Sequence, residues 1–178
     1  MGGSPTRAVK RRASAARETP VFAASWFNQN FSEDYLLDAV VSGEVALPVG
    51  DVPEPFVDAE DIADVAVAAL TGDGHAGQVY ELTGPLMLTF AEAVAEIATA
   101  TGRRIRFTQV STEDYAEALL AHGMPPDLVG FLRYLFTTVL DGRNAQLADG
   151  VQRALGRPPR DFADYARATA ATGVWKNG

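Results

Sequence analysis

The sequence predicts an α/β fold in which helices cover a small, mainly parallel sheet and the C-terminal part is mostly helical. Three observations carry this. Short apolar runs of strand type recur at 21–24, 44–49, 78–82 and 105–110, and stretches of helical spacing separate them. Beyond residue 111 the strand signals stop and only helical stretches remain. The chain has 178 residues, 47% of them apolar, which suits one domain with its own core. The expected organisation is a basic arm over 1–19 and a single α/β domain over 20–178.

Within the arm, Ala8 to Arg17 is rich in alanine and arginine and can form a helix. Val21 to Ala24 reads as a strand leading into an aromatic turn, Trp26 to Phe31. Ser32 is a candidate N-cap, with Glu33 and Asp34 in the first turn of a helix. Tyr35, Leu36, Leu37, Val40 and Val41 form its apolar side, and it should stop at Gly43. Glu44 to Val49 is the second strand, and 50–55 is a loop. Asp58 or Glu60 opens a helix whose Ile62, Val65, Ala66 and Ala69 recur at helical spacing as far as Gly72. Gln78 to Leu82 is the third strand. Thr89 and Glu92 form a capping box before a helix that ends at Gly102. Ile105 to Val110 is the fourth strand, and Ser111 caps the next helix. Pro125 and Pro126 interrupt the chain before an apolar helix, Leu128 to Leu140. A helix end and rigid turn follow at 153–159, and Asp161 caps a last helix that ends before Gly173.

Charge is distributed unevenly. Arg7, Lys10, Arg11, Arg12 and Arg17 stand against Glu18, so residues 1–18 carry +4 while the whole chain carries -8. From Thr19 to Gly102 there is no Lys or Arg. Nucleic-acid binding needs clustered cations to neutralise phosphates, and the acidic body beyond the arm cannot supply enough of them, so no nucleic-acid partner is expected. No apolar run approaches a membrane-spanning length, and no membrane partner is expected. The arm lacks the apolar stretch of a secretory signal, which makes the cytoplasm the expected location. Without cysteine, thiolate chemistry and disulfides are excluded.

Several motifs invite a chemical reading. Gly72-Asp73-Gly74-His75-Ala76-Gly77 has the spacing of a dinucleotide loop, but a helix precedes it and a strand follows. A pyrophosphate loop requires the reverse order, so a helix cap and turn is expected here. Asp58, Glu60, Asp61 and Asp64 could form a carboxylate cluster, yet no histidine accompanies them. Helix capping accounts for them, and no metal is expected. His75 and His122 lie near glycine turns and read as exposed loop residues. The aromatics and amides of Trp26 to Phe31 suit a ligand pocket, with apolar walls and a few directed hydrogen bonds. The alternative is that Trp26 and Phe31 are core and the asparagines shape the turn.

Ser25-Trp26-Phe27-Asn28-Gln29-Asn30-Phe31, Val57-Asp58-Ala59-Glu60-Asp61-Ile62-Ala63 and Tyr80-Glu81-Leu82-Thr83-Gly84-Pro85 occur in this order. Thr101-Gly102-Arg103-Arg104 and Gly156-Arg157-Pro158-Pro159 follow them. Over roughly residues 20–175 the chain resembles the C-terminal half of the NmrA-like, atypical short-chain dehydrogenase/reductase proteins, which bind NAD(P). The resemblance implies a truncated Rossmann-like parallel sheet with a helical, substrate-side lid. It places the aromatic turn beside the nicotinamide and the substrate. Trp26, Phe27, Asn28 and Asn30 are then the cofactor-side candidates, and Phe31, Tyr35, Phe131 and Tyr134 the substrate-side ones. Ala23-Ala24 stands where the family carries an Arg-Pro pair. The Tyr-x-x-x-Lys pair of typical short-chain dehydrogenases is also absent: Ala39, Gly84, Leu119, Thr138 and Thr169 stand four residues after the five tyrosines.

Three functions follow from these readings. One is an NAD(P)-linked oxidoreductase or subunit acting on a small apolar molecule, unable to hold the dinucleotide without a glycine-rich half. The second is a cofactor-independent enzyme of isomerase or cyclase type, or a binding protein, with Asn28, Asn30, Tyr35 or Asp58 as its polar groups. The third is a non-catalytic interaction protein. An incomplete sheet leaves a free edge, so a homo-oligomer or a separate Rossmann-half subunit is the expected protein partner.

Overall fold

The computed structural model describes residues 19–176, so the basic arm and its expected helix lie outside the described residues. Strand β1 (Val21–Ala24) runs into a 3-10 turn at Asn28–Phe31. Helix α1 (Leu37–Ser42), β2 (Glu44–Leu47), α2 (Ala59–Thr71), β3 (Val79–Leu82), α3 (Phe90–Thr101) and β4 (Arg106–Gln109) then alternate. Helices α4 (Thr112–Ala121) and α5 (Pro126–Tyr134), a π-helical turn at Leu135–Val139, α6 (Gly150–Leu155) and α7 (Phe162–Thr172) complete the order.

The strands pair in parallel, but as two separate ribbons rather than one sheet. β1 lies beside β3, with Val21 opposite Val79. β2 lies beside β4, with Glu44 opposite Arg106. Around the β2–β4 ribbon the core is continuous. Phe31, Phe56, Phe90 and Phe162 meet with ring centroids 5.0–6.2 Å apart, and α3 packs on α7. A smaller cluster of Val57, Val65, Tyr80, Leu82 and Val151 joins β3 to α2 and α6. Gly150 sets that approach: a Cβ there would stand 2.1 Å from the Glu81 carbonyl oxygen.

The local capping signals are realised. The Asp58 carboxylate accepts from the Glu60 N–H at 2.9 Å, and Thr89 and Glu92 exchange both bonds of a capping box. Ser111 and Asp161 cap α4 and α7. Gly43, at φ 89°, turns α1 directly into β2.

Ser32 behaves differently from the N-cap expected of it. Its hydroxyl accepts from the Tyr165 O–H at 2.7 Å and donates to the Gln29 carbonyl, so it is spent on packing α7 against the turn. The helix starts only at Leu37. The single helix expected over 128–140 instead begins at Pro126, at the position where a missing N–H costs nothing. It widens into the π turn after Tyr134. There Phe136 packs on Trp26 and Tyr115, at 5.6 and 5.5 Å.

Arg103 serves a helix end other than its own: it donates to the Val40 and Val41 carbonyls that close α1 and to the Trp175 carbonyl. Trp175 is almost fully buried, its indole N–H donating to the Phe31 carbonyl at 2.7 Å.

Candidate active site

The line of β1 continues past Ala24 and is held on its far side by the strand-like residue Val57. The Val57 N–H donates to the Trp26 carbonyl at 2.8 Å, and the Asn28 N–H donates to the Val57 carbonyl at 2.9 Å. These two bonds fix the aromatic turn at the carboxyl end of β1. In α/β folds ligands bind beyond the carboxyl ends of parallel strands. A cavity of about 690 Å³ opens there, within the range of small-molecule sites.

One wall is the turn itself, with Trp26, Phe27 and Asn30. Leu128, Phe131, Leu132 and Leu135, from α5 and the π turn, form a second, lid-like wall. Tyr35, Glu54 and Pro55 line a third side, and Thr83, Asn144 and Gln146 bring polar groups to the rim.

Of the residues singled out from the sequence, Trp26, Phe27, Asn30, Tyr35 and Phe131 come together in this cavity. Trp26 is also a core residue, edge-on to Phe90 and stacked on Phe136. Phe31 is fully buried in the phenylalanine core and does not line the cavity. Tyr134 is exposed on the outer face of α5. Asn28 is fully buried behind the turn, and its side-chain amide finds no hydrogen-bond partner among the described residues.

Glu54 is the group that sequence reasoning missed. It sits between two prolines in the loop before α2, where its backbone bridges to Leu88 through bonds of 2.8 and 3.0 Å. Its side chain is 2% exposed, on the cavity wall. One carboxyl oxygen accepts a long bond of 3.5 Å from the Ser25 hydroxyl, and the other has no partner among the described residues. Burial pushes the carboxyl up to about 7, with the Ser25 bond acting the other way. Such a group can hold or give up a proton near neutrality. The phenol of Tyr35 is pushed the other way from reactivity: burial first, then Tyr115 and Asp34, raise it well above its ordinary value. It remains a neutral donor. A lone carboxyl flanked by Pro53 and Pro55 in the otherwise apolar run Val52 to Val57 was the available signal.

A second cavity of about 570 Å³ lies beside Gln29, Ser32, Asp58, Arg160 and Tyr165. Several of its polar groups are held by one another. Gln29 donates to Asp58 at 2.8 Å, and Tyr165 holds Ser32. Arg157 and Arg160 clamp Asp61 and Asp64. The acidic cluster therefore caps α2 and ties it to the 157–160 turn. Among the described residues no group of three or more His, Asp or Glu could hold a metal, and no described helix is long and apolar enough to cross a membrane. His75 shares a 2.7 Å hydrogen bond with the Tyr80 hydroxyl, and His122 is exposed.

The glycine-rich segment at 72–77 is not arranged as a phosphate loop. Gly72 ends α2 and Val79 begins β3, so the glycine-rich segment joins helix to strand and offers no helix N-terminus. Among the described residues, the main cavity is lined by Asp34, Glu54 and Glu81 and by no Lys, Arg or His.

No family model matches the chain. It is 33% identical to the NAD(P)H azoreductase of Xenophilus azovorans, over 88% of this chain and 62% of that protein. It is 34% identical to an uncharacterised Bacillus subtilis oxidoreductase, over 90% of this chain and 58% of that protein. Among solved structures, the Citrobacter sp. triphenylmethane reductase superposes with a TM-score of 0.71 at 19% identity, covering 83% of this chain and 51% of that one. The NADPH-dependent quinone oxidoreductase of Escherichia coli gives 0.69 at 24% identity, with 84% and 53% covered. Both reductases have also been solved with NADP(H) or NADPH bound. These matches are consistent with the C-terminal portion of an NmrA-like, atypical short-chain dehydrogenase/reductase protein, and the chain spans between 51% and 62% of the four proteins compared.

Proposed function

We propose that these residues are the substrate side of an NAD(P)-dependent oxidoreductase acting on a small apolar molecule. A glycine-rich dinucleotide half, joined in a longer chain or on a separate one, completes it. The observation that supports this most is the bare β1 strand leading into the aromatic cavity. Val21 and Ser25 turn their N–H groups toward β3, at 2.9 and 3.1 Å. The alternation along a strand therefore aims those of Phe22 and Ala24 at the open edge. All four β1 residues are exposed, Val21 by 55%. A further parallel strand on that edge would cover apolar surface, satisfy those donors and bring a nicotinamide to the cavity mouth. Trp26, Phe27 and Asn30 would face the cofactor, and Tyr35 and Phe131 the substrate. The unpaired amide of Asn28 fits the same incompleteness.

A second reading, a cofactor-independent enzyme or binding protein, draws on Glu54 as a proton-transfer group that needs no dinucleotide. Calorimetric titration with NADPH separates the two. The chain alone should give no saturable heat, and adding the dinucleotide half of the azoreductase relative should create binding. Saturable NADPH binding by the chain alone would overturn the need for a second half. Absence of binding in a mixture that has formed a complex would overturn the oxidoreductase reading.

A further inference from the structure

The cavity combines aromatic walls with a single sign of charge. Asp34 and Glu81 are exposed residues of its lining and Glu54 is buried in its wall, and no cationic side chain among the described residues lines it. A carboxylate taken out of water needs a partner, and among the described residues the only hydrogen bond to the Glu54 carboxyl is the long one from Ser25. Aromatic faces such as those of Trp26 and Phe131 attract cations as well as apolar surface. A neutral apolar ligand would use the walls and leave Glu54 unpaired. An anionic one would meet three carboxyls.

We infer that the cavity takes an apolar molecule carrying a positively charged nitrogen, a protonated amine or an iminium, with Glu54 as its buried counter-ion. This rests on the reading of the cavity as the ligand site and narrows its ligand class. The titratable groups that share the cavity with Glu54 are Asp34, Tyr35 and Glu81. The carboxyls of Asp34 and Glu81 reinforce attraction of a cation, and the neutral phenol of Tyr35 does not oppose it. Because burial holds the Glu54 carboxyl up at about 7, a bound cation stabilises the ionised form and expels a proton. Affinity for a permanent cation then falls by about tenfold for each pH unit below 7, and levels off above it.

The test uses the full chain with two probes of equal shape, benzyltrimethylammonium and its carbon isostere neopentylbenzene, followed by tryptophan fluorescence at pH 8. The cation should bind at least tenfold more tightly, and Glu54→Gln should abolish that preference while still binding the neutral probe. Equal binding of the two probes by the wild type overturns the cation assignment and leaves the ligand site standing. Failure of both probes to bind removes both. Preference retained in Glu54→Gln would overturn the role given to Glu54. Calorimetry of the wild type at pH 7 in two buffers of different ionisation enthalpy gives a check that needs no variant. Proton release on cation binding is expected, and its absence would contradict the proposal.

Discussion

The two parallel ribbons are built from strands of the same length and have opposite surroundings. In β2, Val45 and Leu47 are buried at alternate positions, while Glu44 and Ala46 face out. This is the pattern of a strand with one finished face. In β1, Val21, Phe22, Ala23 and Ala24 are all exposed, although all four are apolar, as in a strand of a doubly covered sheet. Phe22 stacks on Tyr80, with ring centroids 6.1 Å apart. The β2–β4 side carries the large core and closes on itself through Trp175 and Arg103. The β1–β3 side carries the small core, the bare edge and the mouth of the cavity. One region is a closed core, and the other leaves an exposed strand beside the cavity.

Substitutions should divide along the same line. On the finished side, Trp175→Ala removes a nearly fully buried indole and its bond to Phe31, and should cost about 3–5 kcal/mol in urea unfolding. At the seam between the cores, Gly150→Ala drives a methyl group into the Glu81 backbone. A loss of about 3 kcal/mol is expected, centred on β3 and α6. A result near zero would mean that the small core is not packed as described.

Glu54→Gln acts with the opposite sign. The wild-type carboxyl is raised in the folded chain, so folding retains its proton between about 4.5 and 7. Ionising it above that window costs stability. The variant should therefore be more stable than wild type at pH 8 by about 2 kcal/mol and equal to it at pH 5. Equal stability at both pH values would show that Glu54 is better solvated than its burial implies. On the unfinished side, Phe22→Lys should change the stability of the chain alone by less than about 0.5 kcal/mol. It should nonetheless weaken assembly with a dinucleotide half, read by calorimetry. A large loss in the chain alone would mean that β1 is already part of a closed core.

What could be read from the sequence was local. Asp58, Thr89, Ser111 and Asp161 announce helix starts because the cap and the N–H it serves lie two or three residues apart. The glycines at 72–77 could be rejected as a phosphate loop from the order of the elements around them. Long-range packing left weaker traces. Ser32 looks like an N-cap until Tyr165, from the other end of the chain, takes its hydroxyl. The aromatic turn showed that a site was near but not which rings face it. In a short strand end and 3-10 turn no period separates Phe31, sent to the core, from Phe27, sent to the cavity, or from Trp26, which serves both. Phe131 and Tyr134 are one turn apart in α5, yet only the first reaches the cavity. Glu54 stayed hidden because its burial comes from elements distant in sequence, Ser25, Leu88 and the α5 wall.

Amide hydrogen exchange at Phe22 and Ala24 addresses the contrast most directly. In the chain alone these two amides should exchange as freely as exposed loop amides, while those of Val45 and Leu47 stay protected. Adding a dinucleotide half should protect Phe22 and Ala24 and leave β2 unchanged. Protection of Phe22 and Ala24 in the chain alone, undiminished on dilution, would contradict the account, because β1 would then be a finished strand.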